Sequence, residues 1–250
     1  MDIPSGGLVL RGHLARPAET SSDAGRALVL CHGFPSGPRG RGSGHTYPQL
    51  ADRLAELSGW TVLAFNFRGT GDSEGDFSLG GWMADVRAAI DTALGLDGVT
   101  GTWLAGFDTG GALAICAAGE DDRVRGVAAL GAPADFDDWA LDPDRLLDQA
   151  RRLGIVRASS FPDGPDGARA WARELAELRP LALVGKVKPR PVLIVHGSDD
   201  AAVPLVDARA LADAAEGEVE LRVLPGAGHR LAHDPRAMAV LLGWLGRLER

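Results

Sequence analysis

The stretch TWLAGFDTGGALAICAA, Thr102 to Ala118, joins the two patterns that decide the fold. Its first residues, Thr102 to Gly106, form a short apolar run typical of a buried strand, and the residues from Thr109 onward form a small-residue segment that predicts a helix. Between them, two glycines flank Asp108 in GFDTG. A tight turn from strand to helix projects its central side chain above the sheet. Asp108 is therefore the first candidate for a functional residue.

The same alternation of strand and helix patterns continues on both sides of this stretch. Short apolar runs predict six further strands, at Leu8 to Ala15, Ala27 to His32, Thr61 to Asn66, Val124 to Leu130, Val192 to His196 and Val219 to Leu224. Apolar residues at helical spacing predict helices at Tyr47 to Leu57, Trp82 to Ala93, Leu205 to Ala215 and Pro235 to Leu248. The alternation predicts an α/β fold with a mostly parallel central sheet flanked by helices on both faces.

The alternation breaks between Gly131 and Pro189. Two helical patterns occur there, around Leu146 to Leu153 and around Ala168 to Leu178, and the turn-rich Phe161 to Gly167 separates them. Long insertions in compact domains are usually functional. We therefore expect a small helical lid at residues 132–188 that selects the substrate, inserted in a core formed by residues 1–131 and 189–250.

Composition and cysteine usage indicate a soluble globular protein. The 250 residues are 45% hydrophobic and 24% charged, which is typical of a folded domain and excludes collagen-like or disordered chains. Cys31 and Cys116 lie in separate apolar runs, so we expect buried reduced thiols rather than a disulfide or a metal site. With no apolar span of about 18 residues and no export signal, the expected location is the cytoplasm, with no membrane partner.

Charge and motif spacing restrict the possible partners. The net charge of -8 argues against a nucleic-acid partner, because phosphate binding needs clustered cations. No group of His, Asp and Glu has the spacing typical of a metal site, and the glycines do not follow the dinucleotide-binding arrangement. We therefore expect no cofactor and no metal, and a small, largely apolar molecule as substrate. The oligomeric state is unknown from the sequence.

Four further motifs follow predicted strands: HGFP at 32–35, FNFRGTGDSEG at 65–75, HGSDDAAVP at 196–204 and PGAGH at 225–229. Together with GFDTG, they resemble the α/β-hydrolase superfamily over essentially the whole chain. The resemblance implies the α/β-hydrolase fold, with GFDTG as the nucleophile elbow and aspartate in place of the usual serine. The RGTGDS part of the second motif is expected to shape the sheet edge rather than to act in catalysis.

The resemblance also implies a role for each motif residue. Asp108 takes the nucleophile position, Asp200 that of the acid and His229 that of the general base. The backbone N–H groups of Phe34 and Thr109 are the expected oxyanion donors. The motif spacing favours Asp200, although the residues alone leave the neighbouring Asp199 open. A second interpretation makes Asp108 only the N-cap of the following helix.

An aspartate at the elbow changes the expected chemistry. A carboxylate attacks an sp³ carbon and forms an alkyl ester, which water then hydrolyses; epoxide hydrolases and haloalkane dehalogenases use this route, and HGFP resembles the loop of the former. The lid lacks tyrosine, and Thr109 stands where dehalogenases have tryptophan. Tyr47, Trp139 and Trp171 are the candidate substrate contacts. Two alternatives stay open: a serine-lineage carboxylic ester hydrolase with an altered nucleophile, and a non-catalytic ligand-binding member of the fold.

Overall fold

The central strand and the helix that follows it form the predicted strand-to-helix turn. In the computed structural model, which describes residues 1–17, 25–37, 41–159, 161–162 and 164–248, the strand is β5 (Gly101–Phe107) and the helix is α3 (Thr109–Glu120). Every residue of α3 from Thr109 to Ala118 is buried. Its glycine and alanine side chains are small enough for the helix to lie close to the sheet.

Within the described residues, seven further strands join β5: β1 (Asp2–Ser5), β2 (Leu8–Ala15), β3 (Arg26–Cys31), β4 (Thr61–Phe65), β6 (Val124–Leu130), β7 (Val192–Gly197) and β8 (Val219–Leu224). They form one sheet in the order β1-β2-β4-β3-β5-β6-β7-β8. The strands β3 to β8 run parallel, whereas β2 pairs antiparallel with both β1 and β4. This confirms the mostly parallel sheet, and the ends of β3, β5, β7 and β8 carry the four motifs that contain candidate site residues.

Helices cover both faces of the sheet, as the alternation predicted. Helices α1 (Arg41–Ser58) and α9 (Pro235–Arg247) pack on one face, and α2 (Leu79–Leu94), α3 and α8 (Leu205–Ala214) pack on the other. Two apolar clusters result, one on each side of the sheet. The buried free thiols of Cys31 and Cys116 agree with the expectation from the sequence, and burial raises the pKa of both.

The segment after β6 contains four helices, α4 (Asp137–Leu141), α5 (Pro143–Arg152), α6 (Gly164–Glu177) and α7 (Pro180–Leu183), and a 3₁₀ turn at Val184–Val187. It packs on the same side as α2. The Phe77 N–H donates to the Ile155 carbonyl at 2.8 Å, and the Gly80 N–H donates to the Glu174 carboxylate at 3.0 Å. Burial raises the pKa of Glu174. The lid role of this segment and its bounds at 132–188 stay predictions.

Several elements differ from the predicted pattern, and the short helices α4 and α7 had no counterpart in it. Strand β1 was missed because it has only four residues and contains Pro4; proline is tolerated there because β1 is an edge strand. Helix α6 begins at Gly164, inside the segment expected to be a turn, and Asp166 in its first turn favours a helix N-terminus. Helix α1 begins at Arg41 rather than Tyr47. Its first residues were missed because the sequence before Tyr47 has no apolar periodicity.

The described part of the chain contains neither a cluster of metal ligands nor a membrane-spanning helix. No three histidine, cysteine, aspartate or glutamate residues lie together there in a way that could hold a metal ion. Among the described helices, none has the length and hydropathy needed to cross a bilayer.

Candidate active site

Asp108 lies in a strained turn that two glycines make possible. Among the described residues other than glycine, Asp108 alone has a positive φ, at 50°. Such a conformation costs on the order of 1–3 kcal/mol and is typical of functional sites. A Cβ on Gly106 would lie 2.2 Å from the Gly110 carbonyl oxygen, and one on Gly110 would lie 2.3 Å from that of His32. Glycine at both positions therefore lets strand β5, helix α3 and the HGFP loop at residues 32–35 approach closely enough to form the turn.

The Asp108 carboxylate has two different oxygen environments. The Phe34 N–H donates to Oδ2 at 2.9 Å, whereas Oδ1 lies 3.8 Å from His229 Nε2. The side chain makes no capping hydrogen bond to α3, which argues against the interpretation of Asp108 as a helix cap. Thr109 is buried at the first position of α3, where helix N–H groups lack intrahelical acceptors. The turn thus places Asp108 next to both predicted oxyanion donors.

Asp200 is the carboxylate that orients His229. Its Oδ2 lies 2.9 Å from His229 Nδ1, and its Oδ1 accepts the N–H groups of Ala202 and Val203 at 2.9 Å each. The Asp200 side chain is fully buried, whereas Asp199 instead accepts a hydrogen bond from the Ser198 hydroxyl. These contacts hold the imidazole with Nε2 toward Asp108, so the geometry brings together Asp108, Asp200 and His229.

A second histidine, His196, lies against Asp200. Its Nε2 is 3.0 Å from the Val203 carbonyl oxygen and 3.6 Å from Asp200 Oδ2, and its side chain is fully buried. The sequence predicted only that His196 ends a strand. Its proximity to Asp200 was missed, because the sharp turn after β7 folds the chain back over the strand end.

His229 carries a raised pKa because two carboxylates flank it. Its pKa rises from 6.5 to about 9, chiefly through Asp108 and then through Asp200, while partial burial opposes the shift. The 3.8 Å separation from Asp108 is too long for an ordinary hydrogen bond, so we attribute the contribution of Asp108 to its charge. His229 is consequently an imidazolium at neutral pH while Asp108 is ionised.

Replacing Asp108 by asparagine is expected to lower the pKa of His229 from about 9 toward the ordinary histidine value, since the substitution removes the charge that contributes most. NMR titration of the imidazole provides the measurement. The raised pKa stabilises the fold at acidic pH, and this contribution is lost as pH rises through about 9. Asp199→Asn is the control, because Asp199 does not contact His229 and its loss should leave the titration unchanged. An unaltered titration in Asp108→Asn would contradict the charge assignment.

His32 braces the loop that carries Phe34. Its Nδ1 lies 2.7 Å from the Gly33 carbonyl oxygen, and its Nε2 accepts the Phe67 N–H at 3.2 Å. Burial lowers the pKa of His32 to about 4, so the ring is neutral and its Nδ1–H can donate. A Cβ at Gly33 would lie 2.7 Å from Asp108 Cβ. The loop therefore approaches Asp108 closely because residue 33 is glycine.

A cavity of about 350 Å³ opens onto Asp108 and His229. It is lined by Gly33, Phe34, Ser36, Thr46, Tyr47, Phe107, Asp108, His229, Arg230, Leu231, Ala232 and His233. Tyr47 is thus in place to touch a bound molecule. The other two predicted substrate contacts are not among the lining residues: Trp139 packs on Phe34 with ring centroids 5.1 Å apart, and Trp171 is buried near Phe77. A role for either tryptophan in substrate choice stays a prediction.

Residues 230–233 form one wall of the cavity and were not predicted as site residues from the sequence. Arg230 directly follows His229, and Leu231–His233 forms a 3₁₀ turn. Proximity in sequence to His229 was the available signal. It did not show which of these side chains face the cavity, because a 3₁₀ turn and a helix direct them differently.

The sequence model of the alpha/beta hydrolase family matches residues 28–241. The chain belongs to the alpha/beta hydrolase family. The match includes Phe34, Asp108, Asp200 and His229 and confirms the family and fold that the motifs indicated.

Solved structures of other alpha/beta hydrolases share the fold across nearly the whole chain. Est1E from Butyrivibrio proteoclasticus with bound ferulic acid has a TM-score of 0.71 at 24% identity, covering 100% of this chain and 97% of Est1E. The alpha/beta hydrolase GrgF from Penicillium sp. sh18 has a TM-score of 0.74 at 22% identity, with 99% and 97% covered. The Pyrococcus furiosus esterase Pf2001 has a TM-score of 0.70 at 19% identity, with 99% and 88% covered.

Proposed function

We propose that this alpha/beta hydrolase cleaves a small molecule through an alkyl-enzyme intermediate on Asp108. The proposal rests on one observation: the two oxygens of Asp108 are distinguished, with Oδ2 held by the Phe34 N–H at 2.9 Å and Oδ1 next to His229 at the cavity wall. A carboxylate fixed in this way presents one oxygen for attack on an sp³ carbon. An epoxide and a carbon–halogen bond are the two substrate classes that meet this requirement.

In the first step, Oδ1 forms a bond to the substrate carbon, and the bond to the leaving group breaks with its electron pair. An opening epoxide takes up the proton of the His229 imidazolium, whereas a halide leaves without one. Either way, the ester on Asp108 is uncharged. The pKa of His229 then falls, because the charge that held it at about 9 has disappeared. Opening of an epoxide has by then left His229 neutral, and after departure of a halide the imidazolium releases its proton to solvent. In both cases His229 becomes the neutral base that the second step needs.

In the second step, His229 takes a proton from water as the water attacks the carboxyl carbon of Asp108. Asp200 keeps the imidazole oriented through the 2.9 Å contact at Nδ1 and stabilises the imidazolium that forms. Negative charge develops on Oδ2, where the Phe34 N–H already donates and the Thr109 N–H is adjacent. Collapse of this intermediate releases the alcohol, which takes the proton from His229, and leaves Asp108 as a carboxylic acid. Transfer of that proton to His229 regenerates the carboxylate and the imidazolium.

The proposed route needs no metal or cofactor and suits a small substrate. A volume of about 350 Å³ lies at the lower end of the range of roughly 300–1,000 Å³ for small-molecule sites.

We further propose that residues 132–188 act as a lid. Trp139 of α4 contacts Phe34 and can transmit changes in this segment to the HGFP loop at residues 32–35.

The experiment is a single turnover in ¹⁸O water, with enzyme in excess over an epoxide or haloalkane. Solvent oxygen is expected in the carboxylate of Asp108, and the product is expected to carry an unlabelled oxygen from Asp108. Peptide mass spectrometry locates the label. Enzyme kept in ¹⁸O water without substrate is the control for spontaneous exchange. A label found only in the product would contradict the proposal, because water would then have attacked the substrate directly.

A second candidate function is carboxylic ester hydrolysis in a serine lineage whose nucleophile has changed. The fold shared with Est1E and with the Pyrococcus furiosus esterase favours it. Asp108→Ser, assayed with activated esters beside the unaltered protein, tests this candidate. Ester turnover that appears only with serine would support the lineage, and a protein inert toward esters, epoxides and haloalkanes would support a non-catalytic binding role.

A further inference from the structure

We propose that Arg230 and His233 form a carboxylate-binding subsite in the cavity, so that the substrate has an apolar body and one carboxylate. The inference deepens the proposed function, on which it depends for the reacting end of the substrate. The carboxylate end of the substrate depends only on the residues of the cavity wall.

Arg230 and His233 belong to one short turn beside His229. The His233 N–H donates to the Arg230 carbonyl at 3.1 Å, and the 3₁₀ turn Leu231–His233 begins directly after Arg230. This hydrogen bond keeps the two residues close together at the two ends of the turn. Both residues line the cavity that contains Asp108. The turn therefore presents a guanidinium and an imidazole together.

The charge of the cavity wall is opposite to that of the protein. The chain carries a net charge of -8, yet among the lining residues that the structure describes Asp108 is the one acid, beside three basic residues. The imidazolium of His229 offsets Asp108, because its pKa is raised to about 9. The charge of Arg230 is left without a counterpart in the cavity, and an anionic group of the ligand can supply it.

The nearby acid does not neutralise Arg230. Asp234 pairs with Arg236 through two nitrogens of its guanidinium, at 2.6 and 3.1 Å. No acid within the described ranges forms a salt bridge with Arg230, which is exposed to solvent. A guanidinium presents a planar pair of donors that matches the two oxygens of a carboxylate. Arg230 therefore has its donors available for a ligand.

The other lining residues of the cavity indicate which kind of group carries the carboxylate of the ligand. Phe34, Phe107 and Leu231 give apolar surface to the same cavity that contains the basic turn and Asp108. One guanidinium and one imidazole suit the single charge of a carboxylate better than the double charge of a phosphate. The geometry thus points to a short-chain carboxylic acid whose reactive carbon lies at the opposite end, facing Asp108.

Unreactive probes test the subsite separately from catalysis. NMR titrations compare pentanoate, pentanamide and butylphosphonate with the unaltered protein, Arg230→Gln and Arg53→Gln. Pentanoate is expected to bind at least about tenfold more tightly than pentanamide, because hydrogen bonds between charged groups are the stronger ones. Arg230→Gln should remove this preference with little change for pentanamide. Arg53→Gln makes the same charge change at an exposed arginine of α1 outside this cavity and should preserve it.

Equal affinity for pentanoate and pentanamide, no binding of either, or a preference that survives Arg230→Gln would overturn the subsite. Tighter binding of butylphosphonate than of pentanoate would overturn the assignment to carboxylates. The probes carry no leaving group, so the outcome is independent of alkylation. A pentanoate preference combined with an unlabelled Asp108 would reject the alkyl-enzyme route and retain the subsite, and the reverse combination would reject the subsite alone.

Discussion

His229→Gln is expected to accumulate an alkylated enzyme when mixed with a haloalkane substrate. The peptide that contains Asp108 should gain the mass of the alkyl group, and turnover should fall by about 10²- to 10⁴-fold, the usual contribution of a general base. Attack by Asp108 on a carbon–halogen bond needs no proton transfer, so alkylation continues. Hydrolysis of the ester needs a base next to the attacking water, and His229 is the imidazole held there by Asp200.

Intact-protein and peptide mass spectrometry measure the adduct, and rapid-mixing kinetics separate its formation from its decay. His13→Gln is the matched control, since His13 is a partly exposed histidine that contacts Asp52 and lies outside the cavity. It should turn over like the unaltered protein and accumulate no adduct. Substrate consumption by the unaltered protein, together with the absence of any adduct in His229→Gln, would exclude Asp108 as the nucleophile.

Asp85→Ala is expected to lower the free energy of unfolding by about 3–5 kcal/mol, the usual effect of breaking a buried ion pair. The Asp85 carboxylate, fully buried in α2, accepts hydrogen bonds from the Arg68 guanidinium, from the Arg68 N–H and from the Ser5 hydroxyl. It thus connects α2, the turn after β4 and strand β1. The substitution would leave the Arg68 guanidinium largely buried without its partner.

Urea unfolding followed by circular dichroism measures this loss. Asp91→Ala is the matched control, because Asp91 lies in the same helix and pairs with Arg123 at the surface. Exposed ion pairs contribute only about 0–1 kcal/mol, so this control should stay close to the unaltered protein. Equal stability of the Asp85→Ala and Asp91→Ala proteins would show that the buried pair does not hold these elements together.

Local patterns were sufficient for the architecture because the sheet is built from short buried strands. Few conformations bury apolar runs as short as Val124 to Leu130 and Val192 to His196. Strands β6 and β7 form at these residues, with nearly the bounds that were predicted. Strand β1 was not visible in this way. Its four residues carry no clear alternation, and its pairing with β2 stabilises it.

The candidate site was predictable only in part. The motif glycines made the turn at Asp108 recognisable, because close backbone approach excludes larger residues from Gly106 and Gly110. The motif spacing favoured Asp200 but left Asp199 open, since both neighbours follow the same strand. Backbone geometry distinguishes them: the N–H groups of Ala202 and Val203 hold Asp200 toward His229.

The sequence by itself determined the alternating α/β order, the family motifs and the presence of a carboxylate at the elbow. These depend on residue type and on spacing along the chain. The tertiary structure decided that one oxygen of Asp108 accepts a hydrogen bond from the Phe34 N–H and that Arg230 and His233 line the same cavity as Asp108. It also decided that Trp139 packs on Phe34, which lines this cavity. Such relations join residues from distant elements, and their distances are determined by how helices pack on the sheet.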